Sequence, residues 1–382
     1  MTIKKQFSSL IIIIILLQSC EPRIKADCNA IPEWGLGPFV RDTTAALFGA
    51  MSNNLFNCPI SKLAVKWEEK GVLCACATVK DGKVYLFYRA EDNSRLPRWG
   101  TSRIGMAISN DGKNFVRQSR PVLYPDNDPM LKYEWPGGCQ DPRIVKTDEG
   151  KYLLTYTSWD GKFARLSIAM SSDLIHWEKN GLAFSRYAGG KYNNTWTKAG
   201  AIICRQDSDQ FIATKINGKY WMYFGEYGLH IATSTDLINW EVLEDSSGNP
   251  RIVLPLIPGK WNSYVTESGA FACLTPKGIL MLLNGGTRNG LADFGLNGSV
   301  WAMGQVLFDK NDPARVLART TKDFFHPERD YEIKYAGENG GGNSNVTFIE
   351  GLIWFRNEWR FYYGCADSFV ASAVYHPPFH HP

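Results

Sequence analysis

Long helical patterns are scarce in this chain, which turns the reading away from helix-rich classes. No basic run exceeds a few residues and the formal charge is only +4 over 382 residues, so the electrostatic footprint of nucleic-acid binding is missing. The nine cysteines contain no paired CxxC spacing, which leaves no zinc motif, and no metal or other cofactor is expected. Of the six histidines, His176 falls in a turn and three lie in the C-terminal tail; none accompanies a serine or cysteine motif, so Ser-His and Cys-His catalysis lack support. What is abundant is aromatic side chains, at 13 %, and glycine, at 35 residues. That mixture favours an all-β fold.

The first residues read as a targeting segment. Lys4 and Lys5 precede an apolar run, Leu10–Leu17, that is too short to span a bilayer. The run ends at Leu17-Gln18-Ser19-Cys20, a small residue directly before cysteine, which resembles a bacterial lipobox with Gln18 as an unusual occupant. Lipidation at Cys20 would hold the protein in the bacterial cell envelope, periplasm or outer membrane, through acyl chains. Residues 1–20 are thus assigned to the signal segment, 21–65 to a tether and irregular N-terminal part, and 66–376 to the main domain. Within the irregular part, Ala45–Met51 is expected to form a helical turn or two, and Cys28 and Cys58 are candidates for a disulfide.

The body of the chain repeats. Gly82-Lys83, Gly150-Lys151 and Gly218-Lys219 each open a strand-like run and are 68 residues apart each time. Downstream of each comes a Ser-x-Asp turn: Ser109 with Asp111, Ser171 with Asp173, Ser234 with Asp236. Two diverged units follow, one around Gly269–Phe308 and one built from Val346–Ile349, Leu352–Phe355, Trp359–Gly364 and Phe369–Val374. A sheet of three or four short strands cannot bury both faces alone, and radial packing against neighbours solves this. Five units predict a five-bladed β-propeller, with Trp177 and Trp240 packing between blades.

In a propeller the ligand pocket sits at one end of the central channel, where polar residues interrupt apolar runs at equivalent points of successive blades. Here these are Arg89 with Glu91 and Asp92, Gln140-Asp141-Pro142-Arg143, Lys198, Glu226, Glu267, Asn284 and Asp367. Carboxylates without histidine or metal motifs point to glycoside chemistry, one acid protonating a leaving oxygen and one base activating water.

GGCQDPRI, the following GKYLLTYTSWDGKFARLSIAMSSDLIHW, WTKAGAI, GQVLFDKNDPARVLAR and FYYGCADSFVASA together resemble glycoside hydrolase family 130 over residues 65–375. The resemblance implies a five-bladed propeller acting on mannosides, either as a phosphorylase or as a β-1,2-mannosidase. It implies that Asp141 is the general acid, acting through a sugar hydroxyl. It further implies that Arg89, Arg103, Arg143, Arg165 and Lys198 face the sugar or phosphate and that Asp367 contacts mannose; Asp92 and Asn284 join them as substrate-binding candidates from their positions alone. The family's usual Glu-Asp-Pro-Arg is here Gln140-Asp141-Pro142-Arg143, and loss of a second carboxylate retunes the neighbouring acid.

Hydrolysis and phosphorolysis differ in what they ask of the cavity, since a phosphate dianion needs several converging cations. Phosphorylases of the family commonly end the third-blade strand in a Leu-His-Arg-like step; this chain reads Met222-Tyr223-Phe224-Gly225-Glu226, and Glu267 adds a second anion. The expectation is an inverting hydrolase releasing mannose from β-1,2-linked manno-oligosaccharides, with Glu226 and Glu267 converging on one water. A mannoside phosphorylase and a non-catalytic glycan-binding lipoprotein are the alternatives.

Overall fold

The computed structural model describes residues 31–93, 100–335 and 343–378, and every structural statement below refers to these. Cys20, Cys28 and the targeting segment lie outside them. The chain is all-β, with helices of a single turn at Leu131–Glu134 and Asp330–Ile333.

Short strands come first: β1 (Val40–Arg41), β2 (Phe48–Gly49), β3 (Met51–Asn57) and β4 (Ala64–Glu68). Five antiparallel units follow. The first has β5 (Gly71–Lys80), β6 (Lys83–Glu91), β7 (Ser102–Ser109) and β8 (Val116–Arg117). The second has β9 (Gly138–Lys146), β10 (Tyr152–Trp159), β11 (Ala164–Ser171) and β12 (Glu178–Leu182). In the third, β13 (Ala201–Asp207) pairs with both β14 (Gln210–Ala213) and β15 (Tyr220–Phe224), and β16 (His230–Ser234) and β17 (Trp240–Val242) complete it. The fourth has β18 (Val265–Thr275), β19 (Gly278–Thr287), β20 (Val300–Phe308) and β21 (Val316–Arg319). The fifth has β22 (Thr347–Phe355), β23 (Glu358–Cys365) and β24 (Phe369–Tyr375).

The repeated sequence has a repeated geometry. At each Ser-x-Asp turn the serine hydroxyl donates to the aspartate, and one aspartate oxygen accepts the N–H groups two and three residues on, at 2.8–2.9 Å. This satisfies backbone donors that the turn leaves outside the sheet ladder. Gly82, Gly150 and Gly218 all take positive φ in the hairpins that begin each repeat, a conformation a Cβ disfavours. Trp177 meets Phe87 of the preceding unit edge-on at 5.6 Å, and the Trp240 amide donates to Ala183 of the unit before it. Trp177 therefore packs between units, as expected, and the buried Trp240 side chain joins the core cluster that also holds Ala183 and Phe184 from the unit before it.

The first strands of the units converge. β5 lies against β9 and β22, and β18 lies against β13 and β22. Buried apolar side chains from several units merge there into one cluster that includes Leu153, Ile202, Met222, Phe271, Ile349 and Phe361.

Two expectations need correction. Ala45–Met51 is extended, because Phe48 and Gly49 pair with Val370 and Phe369 at the edge of unit five. The segment up to residue 65 is not irregular either. β3 and β4 form a hairpin that carries Phe56 and Val65 into the core of unit one, where buried Trp67 stacks on Tyr88. Cross-sheet partners far along the chain supply the order that local pattern did not announce.

β1 completes unit five from the other end of the chain, with Val40 opposite Val374 and Arg41 opposite Ala373. Buried charge seals this junction. Arg360 pairs with Asp42 and Glu358, Ser372 donates to Asp42 at 2.6 Å, and Arg41 makes a two-point contact with Glu332 at 2.7 and 2.9 Å. Asp42→Ala should leave Ser372 and one arm of the buried Arg360 with only their mutual hydrogen bond at 3.2 Å and cost about 1–3 kcal/mol. Urea unfolding measures it; a loss below about 0.5 kcal/mol, the range of ordinary surface changes, would mean that strand pairing alone closes the sheet.

Candidate active site

The strands that converge are also irregular, and the irregularities aim the site. β5 slips register between Leu73 and Ala75, where Cys74 takes φ +50°. β9 slips between Gln140 and Arg143, and Asp141 takes φ +49°. β18 slips between Ser268 and Ala272, and β22 slips at Glu350, between Ile349 and Gly351. An extra residue breaks the alternation of side chains and turns one out of its face. A residue before proline prefers extended backbone, so the left-handed conformation at Asp141 carries a local cost of about 1–3 kcal/mol. Packing on every side maintains it, since Asp141 is buried.

Together these strands surround a cavity of about 440 Å³. Asp141, Glu226, Glu267, Arg89, Lys198 and Asp367 line it, so six of the residues expected at the site from sequence do meet. Glu226 and Glu267 approach because Thr266 donates its amide to the Glu226 carbonyl at 2.8 Å. The Lys198 ammonium stands 3.2 Å from Glu267, 3.8 Å from Glu226 and 3.8 Å from Asp141. Arg89 donates to Asp141 at 3.0 Å and pairs with Glu91, whose other oxygen takes Lys70 at 3.0 Å. Gln140 donates to the Ser102 hydroxyl at 3.2 Å, the same hydroxyl that accepts from Arg89. It thus steadies Arg89 without adding another charge.

Five other expected residues lie outside the cavity lining. Arg103 and Asp92 are both buried and pair with each other at 2.6 Å. Arg165 bonds Asp160 at 2.8 Å and the Asn193 carbonyl. Asn284 joins units four and five, exchanging hydrogen bonds with the backbone of Ile349 at 2.7 and 2.8 Å. The fifth, Arg143, is buried beneath the cavity, donating to the carbonyls of Ser268 and Gly269 at 2.9 and 2.6 Å and pairing with Glu350 at 3.2 Å. These five side chains are occupied in holding the scaffold, so the sugar or phosphate contacts expected of them have no direct support in this geometry.

Sequence reasoning passed over Glu350, Trp159 and Trp196. Trp196 lines the cavity beside Trp159 and donates its indole N–H to Glu226 at 2.6 Å. Glu350 is fully buried, and neither of its oxygens accepts a hydrogen bond.

The protonation states follow from burial and charge. Burial alone would lift the Asp141 carboxyl, but Arg89, Lys198 and Arg143 outweigh it and hold Asp141 below the usual carboxylate range. Burial pushes Glu267 up to about 7; Lys198 and Arg143 pull against that and Glu226 and Asp141 add to it. Beyond the Lys198 contact, the Glu267 carboxyl meets no hydrogen-bond donor among the described residues. Burial likewise raises Glu350 well above its ordinary value despite Arg143, and raises Asp367. Counting Asp141, Glu91, Glu226, Glu267, Glu350 and Asp367 against Arg89, Arg143, Lys70 and Lys198, carboxyl groups outnumber cations among the described residues. The site is therefore equipped to hold and move protons and has no excess of positive charge.

Residues 74–376 match the model of glycoside hydrolase family 130, described as beta-1,4-mannooligosaccharide phosphorylase. A 1,2-beta-oligomannan phosphorylase of Thermoanaerobacter sp. (strain X514) is 30 % identical over 315 residues, 81 % of this chain and 91 % of the relative. A glycosyl hydrolase structure from Bacteroides ovatus is similar at TM-score 0.85 and 39 % identity, covering 91 % of this chain and 96 % of the other. A third structure, with TM-score 0.85, 40 % identity and the same coverage, is described as showing that the family of mannoside phosphorylases contains glycoside hydrolases that target beta-1,2 mannosidic linkages in Candida mannan. With its matched segment spanning nearly all of the five sheet units, this chain belongs to glycoside hydrolase family 130.

Proposed function

We propose that this protein is an inverting glycoside hydrolase that releases mannose from β-1,2-linked manno-oligosaccharides, built on a five-bladed β-propeller. Support for the propeller comes from the five antiparallel units, their shared turn, and the strand from the chain's start that completes the last unit. One observation carries the choice of hydrolysis: each cation named at the cavity is already within 4 Å of a carboxylate. Phosphate would enter a space where carboxyls outnumber cations, whereas water enters it without that penalty. A mannoside phosphorylase is the second reading, favoured by the activities named for the curated relatives.

In the hydrolytic reading Asp141 is the acid and Glu267 the base, its value near neutrality being where a general base works best. Trp196 fixes Glu226, which orients the water and supplies negative charge beside it. Lys198 keeps the three carboxylates together. Asp367, which lines the cavity, is left to meet sugar hydroxyls, and Arg89 stays engaged with Asp141, Glu91 and Ser102. At the N-terminus, the Lys4-Lys5, Leu10–Leu17 and Ser19-Cys20 sequence supports acylation of Cys20 and attachment to the bacterial envelope. Cys20→Ala should then move the protein from the detergent phase to the aqueous phase on Triton X-114 partitioning.

Incubation with β-1,2-mannobiose, with and without inorganic phosphate, tests the main reading. Mannose should appear equally in both, initially as the α-anomer by NMR. Mannose 1-phosphate formed only with phosphate would establish the phosphorylase instead. Asp141→Asn should lower turnover by at least ~10²-fold.

The raised Glu267 value has two consequences with definite sign. Activity should rise with pH through about 7, and that limb should be missing from whatever activity Glu267→Gln retains. The folded state also holds this proton more tightly than the unfolded chain does, so its stabilising contribution is complete below 4.5 and lost as pH rises towards 7. Glu267→Gln, which does not titrate, should accordingly gain stability relative to the parent across that window. Parallel thermal melts at both ends of the window would show a constant difference if Glu267 titrates normally.

A further inference from the structure

Asp141 poses a problem for an acid, because the three cations around it favour its ionised form. A proton has to be available close by each time the leaving oxygen departs. Glu350, on the bulge of β22, is the group in position. It is fully buried, and its oxygens lack any hydrogen-bond partner. One carboxylate oxygen of Glu350, one of Asp141 and the Cys74 sulfur all lie within 4.8 Å of one another. The groups that bear on Glu350 are Arg143 and Asp141 from β9, Glu267 from β18, and Lys198. Cys74 and Cys76 of β5 lie close enough for Glu350 to raise their thiols further, after burial has already done so.

Thiolate and carboxylate donors in such a cluster are also the ligand types of a cation site. Here guanidinium groups already occupy that role, Arg89 at 3.0 Å from Asp141 and Arg143 at 3.2 Å from Glu350. A proton is the charge that remains to be accommodated.

We propose that Glu350 is the proton store of the acid side, a positioning residue that supplies the proton Asp141 passes to the leaving oxygen. This rests on the assignment of Asp141 as the acid. The step balances within the site. The Glu350 O–H proton passes to the Asp141 carboxylate within the cluster that the Cys74 thiol completes, the thiol keeping its own proton. Asp141 delivers that proton as the glycosidic C–O bond breaks, and the attacking water leaves its proton on Glu267. Glu350 is then a carboxylate paired with Arg143, Glu267 is a carboxylic acid, and exchange with solvent through the cavity restores both. Asn284, which clamps the backbone of Ile349, keeps the Glu350 bulge in register.

Glu350→Gln preserves the shape of the side chain and removes the transferable proton. Hydrolysis of β-1,2-mannobiose should fall by ~10²-fold or more, the range of acid catalysis, with KM little changed, because Glu350 does not line the cavity. Glu350→Asp should recover part of kcat. Difference infrared spectroscopy of the parent at neutral pH, in water and in D2O, should show the carbonyl band of a protonated buried carboxylic acid that Glu350→Gln lacks. An unchanged kcat in Glu350→Gln, or an unchanged carboxylic-acid band, overturns the proposal. Parent enzyme that leaves β-1,2-mannobiose intact with and without phosphate defeats the functional reading instead, and the infrared band still decides whether Glu350 stores a proton.

Discussion

One ammonium group holds the site together. Three carboxylates in a buried cavity repel one another and lose hydration, and without a counter-charge they would take up protons or move apart. Lys198 lies within 4 Å of all three. Its stem comes from the segment just before β13, between the strand carrying Asp141 and the later positions of Glu226, just past β15, and Glu267, on β18, so the backbone of unit three sets how closely Asp141 and the two glutamates approach. This arrangement leaves Asp141 ionised and Glu267 near the point of ionisation. The difference arises because Asp141 also has Arg89, whereas Glu267 has no second direct donor. Two carboxyls on one lysine are thereby driven to opposite protonation behaviour, the separation that acid–base catalysis requires.

The backbone bears much of the cost of this placement. Cys74 and Asp141, and Ala199 beside Lys198, hold positive φ without being glycine. In a regular strand their side chains would continue the alternation of the sheet and none would be directed at a shared point. The neighbouring first strands keep these kinks from relaxing. β22, which carries Glu350, is kept in place on one side by Asn284 and belongs to the sheet that β1 completes. The ion pairs of Arg360 and Arg41 at that closure are thus connected to the chemistry by one sheet, although they lie outside the cavity.

Much of this was legible in the sequence, for reasons that can be named. Gly-Lys steps at a constant interval and Ser-x-Asp turns are local signals, and each strand bounded by them falls within a few residues of its observed limits. Asp141, Glu226 and Glu267 were legible because each is a charged residue against an apolar strand. Glu350 obeys the same rule and was missed because Glu350-Gly351 reads as a break between two short strands, when it is a bulge inside one. The pairing of Arg103 with Asp92 depends on which charges the fold brings together, and that of Asn284 with Ile349 spans 65 residues; neither leaves a trace in local spacing. The extended course of Phe48–Gly49 is set by an edge strand some 320 residues away.

The balance of carboxyls and cations ties the two halves of the chemistry together. In a buried space, net charge is kept low either by importing counter-ions or by binding protons. A cavity with surplus cations achieves it by taking an anion, and phosphate becomes the natural nucleophile. The cavity here has surplus carboxyls, and burial raises Glu267 and Glu350 towards holding protons. In the proposed hydrolytic reading those are also the two positions where protons are needed: one to be vacated so that water can be deprotonated, the other to replenish an acid that its own cations keep ionised. A carboxylate at Glu226, where a phosphate-binding cation would suit the other reaction, shifts the cavity to the proton-holding side of this balance. On the proposed reading, the preference for water over phosphate follows from the sign of the charge left over after every ion pair in the cavity has been made.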